Sequence, residues 1–211
     1  HNNNKITKII YNENKIVPVK NVISSLPIST TINILDPKPP KEIQNIISKL
    51  SFRSLKLCIF LINKNCISDN ASIYFPSRDL PFTRLYEPKN RCKNLAPDNQ
   101  TSIVAEVPYT ANSIDENIDD DILMYNIQSY FIKNNFFNKE EIISSKIINI
   151  PYAYPVLTQD ITNKVNLVIS YLKKISNLHL LGRSAQFRYL HTHDLFFESN
   201  KIIELLIKGW Y

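Results

Sequence analysis

Glycine occurs only twice in this chain of 211 residues, at Gly182 and Gly209. A dinucleotide-binding fingerprint needs three glycines within six residues, so that backbone can turn tightly and approach a pyrophosphate. A P-loop likewise needs a glycine-rich turn around phosphate. Neither motif can be written with this sequence, so a phosphate cradle of either kind is not part of it. The remaining composition is that of a globular protein. At 44% hydrophobic and 21% charged residues, the chain has enough apolar surface to bury a core. Its length allows one large domain or two small ones.

Several other classes are excluded. Apolar runs such as 57–62 are far too short to cross a bilayer, and no apolar N-terminal stretch reads as a signal peptide. Cys58, Cys66 and Cys92 are odd in number and lack paired metal spacing, which predicts reduced thiols and a cytoplasmic location. The net charge of +6 permits anionic partners. Its basic residues are scattered, however, and no groove-reading helix or RNA-binding motif accompanies them, so no nucleic-acid partner is expected.

Along the chain, 6–11 and 15–19 read as two strands around Asn12-Glu13-Asn14, and 21–27 as a buried strand ending at a proline. A helix is expected over 41–50, from the spacing of Ile43, Ile46, Ile47 and Leu50. The segments 55–62, 72–75, 82–87 and 101–107 read as strands with no helical pattern between them, which predicts antiparallel pairing. A helix over 115–134 is expected to open on Asp115, Glu116, Asp119, Asp120 and Asp121, where the helix dipole favours negative charge. Its apolar face is expected at Ile114, Ile118, Ile122, Tyr125, Ser129 and Ile132. A strand over 146–150 leads into Pro151-Tyr152-Ala153-Tyr154-Pro155-Val156, held extended by its prolines. Helices over 160–175 and 193–208 flank a short buried strand at 178–181. The expected fold class is α+β, a mixed and largely antiparallel sheet of five or six strands with helices on one side and at the ends.

Five segments, in order, carry a family resemblance. They are Val22-Ile23-Ser24-Ser25-Leu26-Pro27, Phe52-Arg53-Ser54-Leu55, Phe82-Thr83-Arg84-Leu85-Tyr86-Glu87-Pro88-Lys89, Tyr154-Pro155-Val156, and Gly182-Arg183-Ser184-Ala185-Gln186-Phe187-Arg188-Tyr189. Together they resemble the C-terminal half of the UDP-galactopyranose mutases and their amine oxidase-like, FAD-dependent relatives. The resemblance implies that the glycine-rich fold lies upstream, and that this chain is a C-terminal fragment, inactive alone and not itself binding FAD. It implies a partner in the FAD domain of the same polypeptide, and a small-molecule substrate such as a nucleotide sugar. The implied organisation is 1–50 as a return segment of the FAD domain, 51–155 as the substrate-side sheet and helix, and 156–211 as a second segment returning to the FAD domain.

The resemblance also assigns roles. Gly182 and Arg183 form the turn that closes over FAD. A glycine there lets backbone approach a ligand, and an arginine can pair with a pyrophosphate. Arg53, Tyr154, Tyr189 and Arg84 fall to the substrate, with Arg53 offsetting diphosphate charge and the tyrosines donating to it. Plainer readings stand beside these: a strand-to-helix turn with a surface arginine, edge-of-core tyrosines, and a solvent-side ion pair between Arg84 and Glu87. His191 occupies a position where the mutase motif carries an acidic residue, which moves the chain away from strict mutase chemistry. His191 and His193 could offer two metal ligands, but no third stands at a convincing spacing, so no metal is expected. Thr192 or Asp194 is then a cap for the last helix. The alternative to a flavoenzyme fragment is a non-catalytic binding or interaction domain.

Overall fold

The computed structural model describes residues 4–12, 14–110 and 118–208. Ile114, Asp115 and Glu116, expected to open a helix, lie outside the described residues, as do Glu13 and Gly209. The chain divides into two compact units. One comprises residues 53–153. The other is built from both flanking segments, residues up to 52 and those from 154 onward.

The middle unit is organised on a sheet. Its strands are β4 (Phe52–Ile62), β5 (Ser72–Tyr74), β6 (Arg84–Tyr86), β7 (Thr101–Thr110) and β8 (Ile142–Pro155), in the order β5-β6-β7-β4-β8. β4 and β7 pair antiparallel from Arg53–Thr110 to Ile62–Thr101. Side chains alternate across a pleated strand, so Cys58, Phe60 and Ile62 share one face of β4. Their register partners Ala105 and Ile103 lie in the same buried cluster. The helix α3 (Asp120–Lys133) covers this face with Leu123, Ile127 and Phe131, each worth about 1.5–3 kcal/mol when fully buried. Asp119 caps it, accepting from the N–H groups of Asp121 and Ile122 at 2.9 and 3.1 Å. The expected apolar face was displaced. Ile122 and Tyr125 are exposed, because α3 carries apolar residues nearly all round and the Leu123, Ile127, Phe131 stripe is the one that meets the sheet. The α+β expectation, with a largely antiparallel five-stranded sheet, is borne out.

The flanking unit holds the hairpin of β1 (Lys8–Tyr11) and β2 (Lys15–Pro18), and a parallel pair of β3 (Val22–Ser24) with β9 (Leu178–Leu180). Its helices are α1 (Ile28–Ile34), α2 (Lys41–Ile47), α4 (Gln159–Leu172), α5 (Arg183–Gln186) and α6 (Thr192–Lys208). One buried cluster joins Ile28 and Ile32 of α1, Ile43, Ile46 and Ile47 of α2, and Val165, Val168 and Leu172 of α4. α1 was not expected. Its sequence, rich in β-branched residues, is a poor helix former, yet Ile28, Thr31 and Ile32 are buried at helical spacing. Packing overrides propensity here. β3 was expected to be buried throughout, but Ile23 is exposed; only Ser24 is fully buried, and its hydroxyl meets that of Thr31 at 2.9 Å.

Cys58 is completely buried, and all three cysteines are free thiols. Its pKa is raised from 9.0 to about 12, first by burial and then by the negative charge of Asp120, with Lys56 opposing. The fold thus favours the neutral thiol. Its contribution to stability is full below pH 9 and is lost between pH 9 and about 12, as the unfolded thiol ionises and the folded one does not. Iodoacetamide at pH 8 is therefore expected to label exposed Cys66 and Cys92 in the native chain but Cys58 only after denaturation. Mass analysis of the peptides checks this, and equal native labelling of all three would refute it.

Candidate functional site

The β3–β9 ladder ends where Leu181 donates its N–H to Ser24 at 3.0 Å. The next residue, Gly182, turns the chain with φ of 107° and ψ of 164°. This region is open essentially to glycine alone. The space where a Cβ would stand has no neighbour within 4 Å, so backbone faces an open surface there. α5 begins at Arg183 and ends after one turn. Phe187 takes the left-handed conformation at φ of 51°, and Arg188 N–H returns to the Arg183 carbonyl at 3.0 Å, as in a glycine-type helix stop. The Phe187 ring, buried against Phe52 with centroids 5.0 Å apart, holds a bulky residue in that uncommon conformation.

This local geometry gathers three of the expected site residues around Gly182. The guanidinium of Arg183 lies 5.1 Å from the Tyr154 ring centroid and 5.6 Å from that of Tyr189. The two rings stack 5.9 Å apart, inclined by 24°. Nε of Arg183 is buried without a hydrogen-bond partner. Among the described residues Arg183 makes no ion pair, and neither tyrosine hydroxyl has a hydrogen bond. A cation held by π faces keeps its positive charge. The cluster is a cation with two free hydroxyls beside open backbone, which suits a phosphate or diphosphate.

Arg53 and Arg84 belong to the sheet unit. Arg53 is exposed at the start of β4, in register with Thr110. Arg84 was given Glu87 as its solvent-side partner; the structure corrects this. Arg84 pairs with Glu106, its register partner across β6 and β7, and lies 5.4 Å from the ring centroid of Tyr86. Glu87 is buried instead. Its carboxylate accepts from the Thr101 hydroxyl at 2.6 Å, the Ile67 N–H at 3.0 Å, and the Ser68 N–H and Asn90 amide at 3.2 Å. Lys89 donates to the carbonyls of Pro97, Asp98 and Gln100 at 2.7–2.8 Å. The acidic and basic ends of this motif thus tie loops to the sheet. Sequence alone does not reveal Glu106, because strand register decides which residue faces Arg84, nor Thr101, whose hydroxyl reaches Glu87 from outside any register pairing with it.

The rings of His191 and His193 stack 5.5 Å apart. Among the described residues no three His, Cys, Asp or Glu side chains converge on a metal position. Asp194 accepts from the His191 N–H at 2.8 Å, closing the start of α6 as a cap. No described helix is long and apolar enough to cross a membrane.

The architecture and the sequence point to the same relatives. Residues 38–135 match the family model of UDP-galactopyranose mutase. The fold is similar to part of that of reduced UDP-galactopyranose mutase, with a TM-score of 0.73 at 18% identity, over 87% of this chain and 39% of that one. It is also similar to a candidate protoporphyrinogen oxidase from Exiguobacterium sp. 255-15, with a TM-score of 0.61 at 15% identity over 81% and 37% of the two chains. An oxidoreductase from Methanosarcina mazei follows, with a TM-score of 0.56 at 18% identity over 86% and 42%. The comparison with curated proteins finds no match. The resemblance to the mutase and its oxidoreductase relatives therefore holds, and the chain spans about two-fifths of the length of these solved structures. The matched residues include the segments of Arg53 and Arg84; Tyr154, Gly182, Arg183 and Tyr189 lie beyond them.

Removing the Glu87 carboxylate would strand several buried donors, each costing about 1–3 kcal/mol when unmet. Glu87→Ala is expected to destabilise the chain by about 3–5 kcal/mol, measured by urea unfolding. Arg53→Ala, at an exposed position, should stay within about 0.5 kcal/mol of the parent. A Glu87→Ala effect below about 1 kcal/mol would show that this carboxylate does not pin the loops.

Proposed function

We propose that this chain is the substrate-side part of an FAD-dependent enzyme of the mutase or oxidoreductase kind, inactive by itself. The observation that carries the reading is Arg183, an unneutralised cation braced by Tyr154 and Tyr189 directly after the open turn at Gly182. These residues fit the edge of a flavin site. Gly182 gives backbone access, and Arg183 supplies a charge for the cofactor's diphosphate. When bound, FAD supplies the electron-transfer or nucleophilic chemistry. Tyr154 and Tyr189 then offer hydroxyls to the diphosphate of a substrate, and Arg53 offsets its charge. Arg84, already paired with Glu106, shapes the substrate side of the sheet rather than neutralising a ligand. The cradle for the FAD phosphates comes from an FAD domain of the same polypeptide, since two glycines cannot form it. A nucleotide sugar is the first substrate to test. His191, in place of the mutase motif's acidic residue, favours an oxidoreductase over a strict mutase.

The test uses the polypeptide encoded by the complete reading frame. It should purify yellow. Arg183→Ala should weaken its FAD binding by about 10- to 150-fold, the loss of one charge-assisted hydrogen bond of about 1.5–3 kcal/mol. The 211-residue chain alone should show no saturable quenching of FAD fluorescence, because one such contact does not offset the several kcal/mol lost in fixing a free ligand. Micromolar FAD binding by the chain alone, or an Arg183→Ala protein with unchanged affinity, would sink the reading.

A further inference from the structure

We infer that the solvent face of α3 is the contact surface for a second copy of this chain, and that the two α3 helices pack antiparallel, with Tyr125 of each copy set over Ser129 of the other. The inference concerns the sheet unit alone and does not depend on the flavoenzyme reading.

α3 carries two apolar stripes. Successive residues advance by about 100° around a helix. Leu123, Ile127 and Phe131 therefore share one direction, and they are buried against the sheet. Ile122, Tyr125, Ser129 and Ile132 centre about 180° away from them. Ile122 is 59% exposed and Tyr125 69% exposed, while Ser129 and Ile132 are half-buried. Their steps of three, four and three residues repeat the a and d positions of a heptad, the narrow seam along which two helices pack. A helix that is apolar on both sides is ordinarily enclosed on both sides, and the sheet encloses only one.

The charges at the two ends of α3 select the occupant and its orientation. Asp119, Asp120 and Asp121 stand at the start and Lys133 at the end. Asp120 is held by Lys56 within the unit. Asp119 caps the helix through Oδ1 alone. Among the described residues neither its Oδ2 nor the Lys133 ammonium has a partner. Parallel packing would bring the acidic ends of two copies together. Antiparallel packing sets each acidic end beside the other copy's Lys133 and opposes the two helix dipoles. With Tyr125 over Ser129 of the other copy, Ile122 meets Ile132, and on the flank Asp119 meets Lys133. The two-fold axis makes each contact twice. In this register Asn126 faces its own counterpart on one flank and Gln128 faces its own on the other, so no like charges meet at the centre. A large ring opposite a small serine lets the helices interdigitate, and a phenol suits a contact that stays partly wet. The acidic flank, with Asp119 and Asp121, is not the basic face that holds a helix to anionic lipid. A helix of 14 residues is only about 21 Å long, so the contact belongs with the small, reversible interfaces.

Analytical ultracentrifugation of the polypeptide encoded by the complete reading frame tests this. Monomer and dimer should exchange with a dissociation constant of roughly 1–100 µM. The double variant Ile122→Gln, Tyr125→Gln keeps helix propensity at two exposed positions. It should weaken the dimer by at least about 100-fold. Its melting midpoint, at a concentration where the parent is monomeric, should stay within about 2 °C of the parent's. Lys133→Glu replaces two attractions by two repulsions and should weaken the dimer by about 3- to 30-fold, an effect that shrinks in about 1 M salt. A parent that stays monomeric up to about 1 mM overturns the inference, whether or not vesicles or another protein bind this face. So does a dimer that the double variant leaves intact. A dimer that the double variant dissociates but Lys133→Glu leaves unchanged overturns the antiparallel arrangement.

Discussion

The flanking unit depends on the pairing of Val22–Ser24 with Leu178–Leu180, which brings together segments from either side of the sheet unit. Closing so long a loop costs conformational entropy, and three hydrogen-bonded residue pairs alone offer little against it. Asn177 adds a second lock. Its buried carboxamide accepts from the Ile6 N–H and donates to the Ile6 and Lys20 carbonyls, each at 2.8 Å, and its own carbonyl accepts from the Val22 N–H at 2.8 Å. Beneath the ladder the cluster of α1, α2 and α4 supplies the apolar burial. Because the ladder runs on to Leu181, the position of Gly182 and the direction of Arg183 follow from this one closure.

The two arginines that were candidates for ligand binding show how environment decides a side chain's use. Arg84 faces a carboxylate that antiparallel register places opposite it. Its charge is compensated within the fold, as expected for a cation on a half-buried strand. Arg183 has aromatic faces instead. A ring quadrupole attracts the guanidinium by roughly 0.5–2 kcal/mol without cancelling its charge, and the stacked tyrosines restrict where it can go. That combination is an ordered cation still able to form a strong bidentate pair. Composition cannot separate the two cases, since both residues are arginines in motifs flanked by tyrosine.

Much of the architecture was legible because it rests on local signals. β4 lies in an apolar run, α2 and α4 show helical spacing, and the start of α6 follows capping chemistry at Asp194. The convergence of Tyr154 with Arg183 and Tyr189 was legible only through the order of short motifs, since Tyr154 lies far in sequence from the other two. What escaped was set by tertiary structure. α1 is helical because its β-branched residues find a core, not because they favour a helix. α3 offers several apolar stripes, and the sheet chooses the one with Leu123, Ile127 and Phe131. Glu87 looked like a surface carboxylate on an alternating strand, but the loops that fold over it supply donors that no periodicity announces.

The scarcity of glycine gives Gly182 its weight. The other described positive-φ positions, Asn4, Asn12, Asn135, Tyr152 and Phe187, have φ between 43° and 60°. That is the left-handed well, which L-residues can enter at modest cost and asparagine enters readily. A chain rich in asparagine can therefore make such turns without glycine, and this one does so three times with asparagine. At φ of 107° and ψ of 164° no such substitute exists, because a Cβ is disfavoured there by the residue's own backbone. The place a Cβ would take at Gly182 has no neighbour within 4 Å, so glycine is not needed to relieve crowding there. It is needed for the direction in which the chain leaves β9, and that direction starts α5 with Arg183 beside the two tyrosines.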